Sequence, residues 1–296
     1  MNKNYVIGLT CREADRDPLS TSLALDDGLL GVLSSKDYAC VILPNLDYET
    51  QLIAIRHLLV THEKMVKAMD EKTEEFQRVI KKYKGSRYEF AVDELSEKIG
   101  FSIYQSAAQS MSAVGMLAPF CESIFHQAFY GIYQEFYSET EKLKLERHFR
   151  WKKSVADKWD CHYVWDKNGR RKDLMRGILQ LADATGLKHF LPSDIELVLK
   201  ALFGYRNKMF HYGFEWPVEE RTRFWERQQS EDWPVNWFSR ATISGETWII
   251  YLTKDFIDHC INTIGHIIET LENFVVNKSG IAQQSAAGDG KQRSGF

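Results

Sequence analysis

The longest apolar stretch of the chain, residues 101–137, sets the strongest limit on the fold. Its apolar side chains fall nearly all round a helix instead of on one stripe. They are Met111, Val114, Leu117, Phe120, Ile124, Phe125, Phe129, Ile132, Tyr133 and Phe136. Because a helix that is apolar on every side has to be covered by other elements, this stretch predicts the centre of a helical bundle. We expect Pro119 to kink or divide that helix.

Further helical patterns flank this stretch on both sides. Apolar side chains at spacings near three and four predict helices over residues 46–84, 89–99, 172–184, 193–213, 217–228 and 253–276. At the start of the fourth of these, Ser193 is the expected N-cap, and Glu196 is its partner in a capping box.

Extended structure is predicted in a few short places. Residues 237–252 predict a β-hairpin because β-branched and aromatic side chains surround Ser244-Gly245. Tyr5–Leu9 and Tyr38–Leu43 predict short strands or buried extended pieces, and Asn168-Gly169 predicts a turn. The predicted fold is therefore mainly α, a helical bundle with a small β-hairpin insertion and extra N-terminal helices.

The same patterns predict a division of the chain into four parts. These are a mixed N-terminal segment (1–45), accessory helices (46–100), a helical domain containing the hairpin (101–276) and a disordered tail rich in Gly, Ser, Gln and Ala (277–296).

Composition excludes several classes of protein. The net charge of −3 over 296 residues gives the chain as a whole no attraction to nucleic acid or membrane. No run of about 18 apolar residues predicts a membrane span, and the N-terminus lacks the apolar stretch of a signal peptide. Five cysteines without a CxxC pair predict reduced thiols. We therefore expect a cytoplasmic protein.

Motifs for metal, nucleotide or serine chemistry are absent from the sequence. It holds no HExxH, no Gly-rich phosphate loop and no GxSxG. The nearest His and Cys pairs have no recognised ligand spacing: His57 and His62, Cys121 and His126, Cys161 and His162, His259 and His266. The sequence therefore predicts no metal site and no cofactor.

Residues 206–211, Arg-Asn-Lys-Met-Phe-His, carry most of the functional information. Arg206 offers a planar, permanently charged fork that suits a phosphate, and His211 can exchange a proton near neutral pH. On an ideal helix the two lie about 140° apart, whereas Asn207 shares the face of His211. A cleft shared by two subunits would remove this difficulty, because each subunit could supply one of the two side chains. The plain alternative is that Arg206 pairs with an acidic side chain and His211 with the helix C-terminus.

This motif, with Tyr205 before it, resembles the RNxxxH form of the Arg-x(4–6)-His motif of the HEPN superfamily. That family has an all-α bundle in which the motif lies near the end of a helix that follows an earlier long helix, and residues 101–276 have this order. Residues 1–100 and the hairpin lie outside the common family core.

The resemblance implies metal-independent cleavage of RNA by a homodimer. His211 would act as general acid or base, and Arg206 would hold the scissile phosphate. Asn207 would orient His211 or the phosphate. The products would carry 2′,3′-cyclic phosphate and 5′-hydroxyl ends. The resemblance further implies a toxin or antiviral-defence effector, controlled by an antitoxin or another regulatory protein. The alternatives are a non-catalytic HEPN-like module that binds RNA or protein, and a purely structural role for Arg206 and His211.

Other residues are predicted to support this site. Glu122, inside the apolar stretch, is the expected partner of Arg206, since a buried carboxylate needs one. The alternative is that Glu122 faces water or pairs with another base. Residues 140–176 hold twelve Lys/Arg against six Asp/Glu with interleaved Trp and Tyr, a pattern that suits single-stranded RNA. Arg170, Arg171 and Lys172 are its best phosphate contacts, and Lys208 in the motif is another. The alternative is a solvated loop whose Trp rings pack against the bundle.

Overall fold

A computed structural model describes residues 38–137, 150 and 156–279 of the chain, and this part is mainly helical. The predicted strand Tyr5–Leu9, most of the basic residues between 140 and 155 and nearly all of the predicted tail lie outside the described residues. Among the described helices, none combines the length and apolarity needed to span a bilayer.

Seven α-helices and two antiparallel strand pairs make up the described part. The helices are α1 (Ala39–Ile42), α2 (Tyr48–Ile80), α3 (Ser86–Phe136), α4 (Leu174–Thr185), α5 (Ile195–Tyr212), α6 (Val218–Ser230) and α7 (Lys254–Ser279). The strands are β1 (Tyr163–Asp166) paired with β2 (Gly169–Lys172), and β3 (Phe238–Ile243) paired with β4 (Glu246–Leu252).

Helix α3 is the centre of the bundle, as the apolar stretch predicted. Its C-terminal half packs against α1, α5 and α7. Ten of its apolar side chains are fully buried: Ala107, Ala113, Val114, Leu117, Ala118, Ile124, Phe125, Ala128, Phe129 and Ile132. The helix is one continuous element through Gly100 and Pro119, so Pro119 does not divide it. The domain boundary predicted at 100/101 therefore lies inside α3.

The N-terminal half of α3 runs antiparallel to α2. Ser102 donates a hydrogen bond of 2.5 Å to Asp70, and the ammonium of Lys98 lies 5.2 Å from the ring centroid of Phe76. Between Ser86 and Ser106, Ala91 is the one buried residue of α3. This part of the pair is therefore held mainly by contacts along a narrow seam.

Two local predictions are wrong. Residues Tyr38–Leu43 form the short helix α1 instead of a strand, because Ala39 and Ile42 pack into the bundle. The N-cap of α5 is Asp194, not Ser193, and no side chain caps that helix end by a hydrogen bond. Asp194 instead accepts a 2.9 Å contact from His259 of α7, which ties the start of α5 to the last helix.

The predicted hairpin is confirmed at residues 238–252. Its loop is Ser244-Gly245, and both residues have positive φ (50° and 88°), as a type I′ turn requires. Helix α4 ends at Thr185, one residue beyond the predicted end at 184, and the left-handed Gly186 (φ 81°) is its C-cap. Helix α7 continues to Ser279, three residues into the predicted tail.

The close approach of α1 to α3 gives a test of the bundle. A Cβ atom at Gly131 would lie 2.2 Å from the carbonyl oxygen of Ile42, so Gly131→Ala forces two backbones apart. We expect a loss of about 1–3 kcal/mol in the free energy of unfolding. Gly100→Ala, in the same helix with no neighbour within 4 Å, is the matched control and should gain about 0.5–1 kcal/mol. Denaturant titration of both variants measures the difference; equal stabilities would contradict this packing.

Candidate functional site

The 206–211 motif lies on the last two turns of α5, and the buried face of that helix decides which of its side chains reach solvent. Leu202, Tyr205 and Met209 are buried, and the hydroxyl of Tyr205 donates a 2.9 Å hydrogen bond to the carbonyl of Ile250 in β4. The Tyr205 ring contacts the rings of Trp216, Phe224 and Phe238, and Trp233 and Phe256 extend this aromatic cluster through Phe224 and Phe238. These contacts fix the rotation of α5, so the motif has one defined orientation.

The end of α5 is also fixed. Gly213 follows the helix with φ 69°, a conformation that a side chain disfavours, and its amide donates to the carbonyl of Met209 at 2.9 Å. The indole of Trp216 donates to the carbonyl of Gly213 at 2.9 Å. The backbone that carries His211 is therefore held on both sides.

Arg206 is half-buried and only partly satisfied. One guanidinium nitrogen donates to the side-chain oxygen of Asn207 at 3.2 Å, and the group lies 5.6 Å from the ring centroid of Phe210. Its Nε is buried and has no hydrogen-bond partner in the part of the chain that the structure describes. The guanidinium thus keeps donor capacity that the fold does not use.

His211 is exposed in the last turn of α5. Its ring makes an edge contact with Tyr212 at 6.4 Å between centroids, and no hydrogen bond or ion pair reaches it from the described residues. Phe210 and Tyr212 on either side are 56% and 42% exposed, which makes the surface around His211 aromatic. Arg206 and His211 therefore both keep hydrogen-bonding groups that no bond among the described residues uses.

Lys208 points to a different neighbour. Its ammonium pairs with the carboxylate of Glu220 on α6, which also binds Arg223 at 2.9 Å. These two cations hold the pKa of Glu220 below its usual value, with the hydrogen bond from Lys208 as the largest cause. Lys208 thus ties α5 to α6, and this pair competes with the phosphate contact predicted for it.

The predicted pair between Glu122 and Arg206 is not formed. Glu122 instead binds Nε2 of His162 at 2.7 Å, and Nδ1 of the same ring lies 2.6 Å from Asp160. Which helix faces which depends on tertiary packing, and α3 presents Glu122 to the turn before β1, away from α5. The two carboxylates raise the pKa of His162, although burial alone would lower it.

Part of the basic and aromatic stretch, residues 140–176, packs against the bundle. Trp165 is buried, and the ring of Trp159 packs against Tyr133 of α3 at 5.1 Å and against Tyr137, just after α3, at 5.2 Å. Arg170, Arg171 and Lys172 lie exposed on β2, where Arg170 covers the ring of Tyr163. The described Trp rings therefore serve packing, while the three basic side chains remain on the surface.

The structure brings together a cluster that the sequence reading missed. Ligand atoms of His126, Asp160 and His162 all lie within 4.8 Å of one another. Glu122 and His126 are one helical turn apart on α3, and Asp160 and His162 flank Cys161. The only sign of this cluster in the sequence is these two closely spaced pairs. Because 34 positions separate His126 from Asp160, only the fold brings the pairs together.

The segment that carries Asp160 and His162 is anchored by a buried arginine. The guanidinium of Arg150 donates to the carbonyls of Lys158, Asp160 (2.6 Å) and Tyr163 (2.7 Å), and to the side chain of Gln180 (2.9 Å). Burial lowers the pKa of Arg150 to about 10, which leaves it charged near neutral pH. This segment is therefore rigidly placed against α4.

Comparisons of the chain with protein-family models, with curated proteins and with solved structures find no match.

Proposed function

We propose that this protein is a metal-independent endoribonuclease of the HEPN type, acting as a homodimer. The observation that carries the proposal is the state of the two reactive side chains of α5. Arg206 has a buried Nε without a partner among the described residues, and His211 is exposed and unpaired there. A structural role for Arg206 predicts the opposite, since a buried donor is normally satisfied by a neighbour.

The chemistry follows from the side-chain types. His211 takes the proton of a ribose 2′-hydroxyl, or returns one to the leaving 5′-oxygen. The 2′-oxygen attacks the adjacent phosphorus, a 2′,3′-cyclic phosphate forms, and the 5′-oxygen leaves as a hydroxyl. Arg206 stabilises the charge that develops on the phosphate. One guanidinium nitrogen of Arg206 already donates to Asn207, which leaves other N–H groups of the guanidinium for the phosphate.

A second copy of the chain supplies what one copy lacks. Arg206 and His211 are about 140° apart round the helix, so one copy does not present both to the same point easily. The exposed Phe210 and Tyr212 beside His211 offer apolar surface for a symmetric contact between two α5 ends. Arg206 of one subunit and His211 of the other then face a shared cleft.

The proposal is tested by incubating the purified protein with a mixture of RNAs in EDTA and mapping the new ends. We expect cleavage with 2′,3′-cyclic phosphate and 5′-hydroxyl ends, and no cleavage of DNA of the same sequence, which lacks the 2′-hydroxyl. Ends with 3′-hydroxyl and 5′-phosphate would contradict this chemistry. Binding of RNA or protein without any cleavage would favour the non-catalytic module.

A further inference from the structure

We propose that His126, Asp160 and His162 form a binding site for a zinc ion, with Glu122 orienting His162. This site lies apart from the α5 motif and does not depend on the proposed nuclease. Its basis is the convergence of two imidazoles and a carboxylate from α3 and the turn before β1, with ligand atoms no more than 4.8 Å apart.

The donor set favours zinc over other common cations. Two histidines and one carboxylate are a usual set for zinc with an open fourth position, which water fills. Magnesium and calcium prefer sites made of oxygen alone. The neighbouring thiols of Cys121 and Cys161 are buried and do not converge with these three ligand atoms.

The hydrogen bonds of His162 suit a metal-bound imidazole. Without an ion, both ring nitrogens face a carboxylate oxygen, and a protonated ring satisfies both by donating from each nitrogen. If Nδ1 binds the ion beside Asp160, Nε2 keeps its proton and donates to Glu122. A metal-binding histidine commonly donates its other ring nitrogen to a carboxylate in this way.

Two of the three ligands are held in place before any ion arrives. Arg150 binds three backbone carbonyls of the segment from Lys158 to Tyr163. A Cβ atom at Gly177 would lie 2.0 Å from the carbonyl oxygen of Cys161, so α4 presses directly on this turn. The amide of His162 also donates to Asp160 at 2.9 Å. Such anchoring reduces the entropy lost when the ion binds.

The third ligand is free to close the site. His126 is exposed, and its ring lies 5.6 Å from the ring of His162 between centroids. Ligand atoms that share one tetrahedral zinc lie about 3.3 Å apart, given bonds of about 2.0–2.1 Å. Binding of the ion therefore requires the exposed His126 side chain to move closer and the 2.6 Å contact between Nδ1 of His162 and Asp160 to lengthen.

Isothermal titration of zinc chloride into the full-length protein, freed of metal by dialysis against EDTA, tests the site. We expect one zinc ion per chain. His126→Ala should weaken binding by more than about a hundredfold, because it removes a ligand. Glu122→Gln should weaken it by about 10–100-fold, because it changes only the orienting contact. His266→Ala, another exposed histidine, is the control and should bind as the wild type does.

His126→Ala is the deciding variant because it leaves the fold intact. The side chain is exposed and makes no hydrogen bond among the described residues, so the melting temperature without zinc should not change. Zinc should raise the melting temperature of the wild type but not that of His126→Ala. Absence of stoichiometric binding by the wild type, or equal affinity in His126→Ala, would overturn the proposal. Neither readout depends on RNA cleavage, so this proposal and the nuclease can fail separately.

Discussion

Replacement of His211 by alanine is expected to lower the rate of RNA cleavage by roughly 10²–10⁴-fold, the usual contribution of a general acid or base. Arg206→Ala should cost roughly 10²–10³-fold, since it removes the group that stabilises the phosphate. Single-turnover assays on a defined RNA measure both losses. Because the two groups act in one step, the double variant should be little slower than the slower single variant.

The matched controls for these variants are Arg56→Ala and His57→Ala. Both side chains are exposed on α2 and make no hydrogen bond within the described ranges. Neither substitution should change cleavage. Arg206→Ala should also leave the free energy of unfolding within about 0.5 kcal/mol of the wild type, because the buried Nε has no partner to lose. Cleavage that persists in Arg206→Ala and His211→Ala would remove the motif as the active site.

Mixing the two inactive variants tests the shared cleft. If Arg206 acts with His211 of the other subunit, half of a random mixture are heterodimers with one intact site each. About a quarter of the wild-type activity should then return. If each site lies within one chain, mixing restores nothing, and the cleft would have to be formed by a single α5.

Replacement of Arg150 by methionine is expected to be the most destabilising change in the described part of the chain. The substitution keeps the apolar stem but removes a donor from three backbone carbonyls and from the side chain of Gln180. The Asp160 carbonyl keeps the amide of Tyr163 at 3.3 Å, and Gln180 keeps the amide of Trp165 at 3.0 Å. Each unsatisfied buried acceptor costs about 1–3 kcal/mol. Because two of the four acceptors keep a second donor, we expect a total loss of roughly 3–5 kcal/mol in the free energy of unfolding.

Two comparisons isolate the cause of that loss. Arg150→Lys should recover little stability, since one ammonium cannot reach several acceptors in the fork geometry of a guanidinium. Arg176→Met, at an exposed position on α4, should stay within about 0.5 kcal/mol of the wild type. Denaturant unfolding gives all three values. A small loss in Arg150→Met would mean that the segment from Lys158 to Tyr163 is held by other contacts.

Local signals in the sequence predicted the elements whose causes are local. Gly186 ends α4 and Ser244-Gly245 turns the hairpin because backbone conformation alone decides those positions. The apolar stretch predicted a central helix because its pattern needs cover on all sides. Tyr38–Leu43 was misread because six apolar and aromatic residues suit a strand or a buried helix equally, and packing against α3 decided for the helix.

The candidate sites divide in the same way. The α5 motif could be found because its residues are neighbours in the chain. The partner of Glu122 could not, since it depends on which side of α3 meets the turn before β1. The cluster of His126, Asp160 and His162 was invisible for that reason too, as its two halves are joined only by the fold.

The continuity of α3 has a mechanical consequence. At about 1.5 Å per residue, its 51 residues form a rod about 75 Å long. Gly115, which faces Phe210 of the α5 motif, and His126 of the histidine cluster lie on this rod about 16 Å apart. A stiff helix does not let these points slide independently along its axis. A displacement of the N-terminal end of α3, near Tyr88, along the helix axis would therefore move Gly115 and His126 together.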